Sequence, residues 1–196
     1  FLLGDQHHLA LHQRLRLFLA VAFGTLALAA CTESANRAPC PAGKLCFETG
    51  NTSDPVSLDP HKITSVNENR VLSDLMMGLI QDTPEGGVAP GMATSWETSP
   101  DGKTWIFRLR DTTWSDGVPV TAEDFAYAMR RILTPETAAE YASLLYVIKN
   151  GEAVNGGKLP PSAVGVRAID RRTLEIQLEH PAPYLLELAK HSTMFP

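Results

Sequence analysis

Apolar residues recur along this chain with two different periods. In VNENRVLSDLMMGLI, Val66, Val71, Leu72, Leu75, Met76 and Leu79 return at helical spacing, which predicts a helix over residues 68–77 with that stripe buried. From Ala93 the period shortens to two. TSWETS and KTWIFRLR flank Pro100, Asp101 and Gly102, a composition that predicts a hairpin with the glycine at positive φ. In its second strand Trp105, Phe107 and Leu109 share one face and Ile106, Arg108 and Arg110 the other, so one face is core and the other at least partly wet.

Trp114 closes the end of that hairpin, and Ser115, Asp116 and Gly117 make the next turn. Thr121 followed by Asp124 resembles a capping box, ahead of an apolar stripe of Phe125, Met129, Ile132 and Leu133. Pro135 ends this helix, because its ring disfavours helical geometry at Thr134. Ala138, Tyr141, Ala142, Leu145 and Ile148 are spaced for burial and predict a second helix over residues 136–148, stopping at Asn150 and Gly151 before a loop. VGVRAI and TLEIQLE around residues 170–172 predict another hairpin, in which Leu174, Ile176 and Leu178 alternate with Thr173, Glu175, Gln177 and Glu179. Pro181 and Pro183 lead into a short helix, YLLELAKH.

The front of the chain follows a different logic. RLRLFLAVAFGTLALAAC, residues 14–31, has two arginines, an apolar run and small residues ending at Cys31, a signal-peptide pattern. The run over residues 17–30 is short for a spanning helix, which needs about 20 residues. Leu28, Ala29, Ala30 and Cys31 also resemble a lipobox, making Cys31 the expected lipidation site and the lipid an anchor that does not span. The chain begins with Phe1 and its first methionine is Met76, so the front reads as truncated or mis-started; His7, His8 and His12 within it are assigned no function. Residues 32–46 read as a Pro-rich linker in which Cys40 and Cys46 either close a small disulfide loop or stay free, with the disulfide preferred outside the cytoplasm.

Net charge is −5 and the arginines fall in scattered pairs read as solvated, among them Arg130 and Arg131, so no basic face is available for nucleic acid. Catalytic signatures are missing: no G-x-S-x-G, H-E-x-x-H or paired C-x-x-C occurs, and GEAVNGGKL fails the phosphate-loop spacing. DTTWSDG likewise misses a calcium loop, and Met76 with Met77 reads as core filler. His61 and His180, each beside a proline, read as turn histidines. No metal, cofactor or enzyme activity is expected.

LDPHKI, then GVAPGMATSWETSPDGKTWIFRLRDTTWSDGVPVTAEDFAYAMRRI, PETAAEYASLL and GVRAIDRRTLEIQLEHPAPYLLELAKH together resemble the N-terminal part of an extracytoplasmic solute-binding protein of the oligopeptide/dipeptide ABC-importer family, family 5. PETAAEYASLL is what points to the oligopeptide branch. The resemblance implies an α/β protein of the periplasmic-binding-protein type II clamp, here only part of lobe I and its extra outer subdomain: signal peptide with lipobox 1–31, linker 32–46, start of lobe I 47–76, outer subdomain 77–196, and a second lobe beyond this sequence. It implies a monomer, exported to a periplasm or cell surface, that binds oligopeptides and hands them to ABC permease subunits; dipeptide, nickel, haem or sugar cargo, a peptidase completed further on, or a chain without binding activity are the alternatives. Thr64, Ser65 and Val66 match the segment whose backbone lines the family's cleft and pairs with an extended peptide, and Tyr141 matches a cleft tyrosine. Thr64 stands where the family often carries an acidic residue. By periodicity alone Tyr141 would be a core residue of an amphipathic helix.

Overall fold

A computed structural model describes residues 40–47 and 49–196. The leader 1–31, its lipidation site Cys31, and linker residues 32–39 lie outside the described residues. Residues 50–196 form one compact unit, separate from the unit that precedes them, and the expected boundary near residue 76 falls inside it. In the preceding unit Cys40 and Cys46 are joined in a disulfide, around a turn in which Gly43 has φ +78° and Lys44 N–H donates to the Pro41 carbonyl at 3.1 Å. Among the described residues no helix is long and apolar enough to cross a membrane.

In the larger unit α1, Val66–Leu75, begins two residues earlier than its apolar stripe predicts, because Ser65 and Glu68 form a capping box that starts it at Val66. The stripe itself is not buried as expected. Val66 is 76% and Leu75 66% exposed, and within the helix only Glu68 and Leu72 are buried. Two short strands that the sequence pattern did not announce follow, β1 (Ile80–Asp82) and β2 (Val88–Pro90), joined by a turn in which Gly86 has φ +83°. At Gly91 the chain crosses so close to the preceding segment that a Cβ would stand 2.5 Å from the Gly78 carbonyl oxygen.

The main sheet is antiparallel, in the order β3, β4, β6, β5, built from the two predicted hairpins: β3 (Ala93–Thr98) with β4 (Thr104–Leu109), and β5 (Val166–Asp170) with β6 (Thr173–Gln177). Gly102 takes φ +70° in the first turn, and Trp105, Phe107 and Leu109 are buried on one face as the alternation requires. In β6 the strict alternation fails: Thr173, Leu174, Glu175 and Ile176 are all buried. A central strand is covered on both faces, and the polar side is roofed by arginine stems, with Arg167 fork-bonded to Glu175 at 2.7 and 3.1 Å and Arg108 donating to the Thr173 hydroxyl at 3.0 Å.

Helix α2, Ala122–Leu133, packs its buried Phe125, Met129, Ile132 and Leu133 against β5 and β6. Its N-terminus carries the expected cap, the Asp124 carboxylate accepting from Thr121 N–H at 2.6 Å, and the helix stops before Pro135. The second predicted helix does not form. Residues 135–148 contain two 3-10 turns, Pro135–Thr137 and Ala142–Leu145, separated by Ala138 in the left-handed region at φ +51°. A short helix α3, Gly151–Asn155, instead occupies the stretch read as a loop. Helix α4, Leu185–Leu188, and the 3-10 turn Ser192–Met194 complete the fold, the latter lying against α1 and α2.

Candidate functional site

The N-terminus of α1 is organised by one carboxylate. Glu68, 5% exposed, accepts on one oxygen from the N–H groups of Val56 and Ser57, at 3.0 and 3.2 Å, and on the other from those of Thr64 and Ser65, both at 3.2 Å. Burial pushes this carboxyl's pKa up, but the hydrogen bonds from Ser65, Thr64 and Ser57 outweigh it and hold the group below the ordinary glutamate range. The S-x-x-E pattern that discloses Glu68 is present in the sequence at Ser65–Glu68, set within the apolar stripe.

Ser65 is extended, at φ −106° and ψ 152°. In extended backbone the carbonyl before a residue and the N–H after it project to the side opposite that residue's own N–H and C=O. Ser65 N–H is taken by Glu68 and its C=O by Asn69 N–H at 3.1 Å, so Thr64 C=O and Val66 N–H face the other way together. Thr64 and Val66 both belong to the residues lining a cavity of about 170 Å³, with Ile63, Ser65, Asn69, Tyr141, His191 and Ser192.

Tyr141 precedes the 3-10 turn Ala142–Leu145 and is 40% exposed, which corrects the reading of its position as the core face of an amphipathic helix. Its hydroxyl donates to the Thr64 carbonyl at a long 3.4 Å, and its ring meets His191 edge-on with centroids 5.9 Å apart. All four expected cleft residues, Thr64, Ser65, Val66 and Tyr141, therefore line one cavity. His191, Ser192 and Asn69 join them from positions that no sequence motif marked. A larger open groove of about 790 Å³ shares His191 and runs past Tyr146 and Tyr184. Of its three carboxylates, Glu179 accepts from Asn150 N–H at 2.6 Å and Glu187 is paired with the Lys190 ammonium at 2.5 Å, with Glu152 beside them.

A second polar cluster ties the LDPHKI segment to α2. Arg131 donates to both oxygens of Asp59, at 2.8 and 2.5 Å, and to His61 Nδ1 at 2.7 Å. An arginine donating to Nδ1 fixes His61 as the neutral imidazole with its proton on Nε2, which faces the Phe195 main chain without a bond of ordinary geometry. Burial first, then the Arg131 charge, bring the His61 pKa down to about 4, against the opposing charge of Asp59; the Arg131 hydrogen bond brings Asp59 down to about 2 against its partial burial. Arg131 and His61 are thus structural partners: His61 lies in a turn, as expected, but is buried there, and Arg131 is paired rather than simply solvated. Among the described residues no group of three or more His, Cys, Asp or Glu side chains is placed to hold a metal ion.

A family model of the bacterial extracellular solute-binding proteins, family 5, middle region, matches residues 87–196. The periplasmic oligopeptide-binding protein OppA of Salmonella typhimurium is 41% identical over 184 residues, which is 90% of this chain and 34% of that protein. The crystal structure of Haemophilus influenzae OppA in complex with the peptide RPPGFSPFR matches with a TM-score of 0.73 and 43% identity, over 74% of this chain and 29% of that one. The murein tripeptide binding protein MppA of Escherichia coli matches with a TM-score of 0.70 and 41% identity, over 72% of this chain and 28% of that one. The chain thus spans about a third of the length of the curated relatives it matches.

Proposed function

Because this chain belongs to the bacterial extracellular solute-binding proteins of family 5, we propose that it supplies one wall of an oligopeptide receptor that delivers its ligand to an ABC-type importer. The observation that carries this reading is the pair of main-chain groups at the cavity, Thr64 C=O and Val66 N–H, turned the same way beside Tyr141. Such a pair matches one rung of a β-ladder, so it recognises an extended peptide by its backbone and is indifferent to its side chains. The likeness to a solute-binding protein holding a nonapeptide supports the same ligand class.

Within this reading residues 47–76 begin the first lobe and residues 77–196 form its outer subdomain. The protein acts outside the cytoplasm as a monomer, anchored by a lipid on Cys31, and its permease partners are the membrane subunits of the importer. Two measurements test the proposal. Small molecules released by denaturing the natively purified complete protein should form a ladder of mixed short peptides in mass spectrometry; a single non-peptide species would overturn the peptide reading. Cells fed an alkyne fatty acid should label the wild-type protein and not Cys31→Ser, and equal labelling of the two would remove the anchor.

A further inference from the structure

We infer that Glu68 is the positioning residue of the cleft: it orients the main chain of residues 64–66 so that Thr64 C=O and Val66 N–H are presented to a peptide. The inference rests on the peptide reading above and adds to it a residue that need not touch ligand. Glu68 sits one helical turn inside α1, buried, and takes no part in the lining of the cavity. Its work is done on four N–H groups drawn from two separate stretches of chain, residues 56–57 and 64–65.

A carboxylate is the one side chain that can receive all four, because each ionised oxygen accepts twice and the group offers no competing donor. With its N–H held toward Glu68 and its carbonyl held by Asn69, Ser65 cannot rotate without breaking charge-assisted hydrogen bonds. The orientation of the peptide units on either side follows from that of Ser65. Among the described residues the one intrachain bond reaching the outward pair is the long one from the Tyr141 hydroxyl to Thr64, which a ligand N–H can replace. A glutamine at position 68 keeps the size but places an NH2 group against one pair of backbone N–H donors, so one half of the latch becomes repulsive.

The test is a double-mutant cycle on the complete protein, using calorimetry with trialanine and its two singly N-methylated analogues. In the wild type, methylating the amide that pairs with Thr64 should weaken binding about tenfold, the worth of one hydrogen bond. In Glu68→Gln, binding of trialanine should fall about tenfold and the further penalty of methylation should shrink to within threefold, since the carbonyl is no longer held in place. Equal methylation penalties in the two proteins would show Glu68 to be merely structural and overturn the inference. If the wild type takes up none of the three peptides, the peptide reading itself fails, which is a separate result. Amide hydrogen exchange on the wild type provides a check that no folding defect can obscure: Thr64 and Ser65 amides should be protected without ligand and Val66 only with trialanine. Protection of Thr64 and Ser65 that appears only with peptide would equally overturn it.

Discussion

At Tyr141 the ring and the hydroxyl have separable roles. The ring stands edge-on to His191 at 5.9 Å, while the hydroxyl reaches Thr64 only at 3.4 Å, a distance at which a hydrogen bond contributes little. Tyr141→Phe should therefore bind trialanine within about threefold of wild type, whereas Tyr141→Ala, which removes the wall, should lose about tenfold or more. His61 makes a different kind of prediction. Its pKa is about 4 in the fold against 6.5 ordinarily, so between those values the unfolded chain binds a proton that the folded chain does not. Stability is then full above pH 6.5 and falls as pH drops toward 4, by about 3 kcal/mol for this one group. Asp59, lowered to about 2 from 3.8, continues the loss in the next window down. Urea unfolding at stepped pH should show this slope, and His61→Asn should flatten it between pH 6.5 and 4. Neither His61 nor Glu68 was legible as a buried residue. Histidine beside proline carries no burial signal, and the capping-box glutamate was masked by the more conspicuous apolar stripe around it.

Among the elements, strands and turns were legible where local chemistry decides them. Gly102 and Gly117 both take positive φ in the turns read for them, and Pro135 stops α2 where expected. No α-helix forms over residues 136–148, because burial spacing is satisfied equally by irregular chain. Ala142, Leu145 and Ile148 are indeed buried, yet Ala138 turns left-handed and Gly151 is pressed to within 2.6 Å, at its would-be Cβ, of the Leu145 carbonyl. Each site makes a prediction of opposite sign. Ala138→Gly should stabilise the protein by up to about 1 kcal/mol, because it relieves a conformation unfavourable to a Cβ. Gly151→Ala should destabilise it by about 1–3 kcal/mol through overpacking against a main-chain atom. Thermal denaturation of the two variants checks both.

Across the whole molecule, the sheet and the cleft are set apart. Phe107 is fully buried within the β3, β4, β6, β5 sheet, and neither it nor its strand lines the cavity at Tyr141. Phe107→Leu in the complete protein should cost about 1–2 kcal/mol of stability and leave trialanine affinity within twofold, a separation that parallel unfolding and calorimetry would test. Amino-acid order alone determined the hairpins, the capped helix α2 and the export-type leader pattern, because alternation, turn glycines and caps act over a few residues. It also carried the family likeness that marked Thr64, Ser65, Val66 and Tyr141. Only the tertiary structure decided that residues 64–66, 141 and 191–192 share one cavity, that a buried carboxylate holds two loops by their amides, and that Arg131 reaches back to Asp59 and His61. The cavity and the Arg131 pairings join segments some 50 to 130 residues apart, and the Glu68 bonds to Val56 and Ser57 reach 12 and 11 residues back, so their geometry depends on how the sheet, α2 and the last 3-10 turn pack rather than on alternation or turn residues.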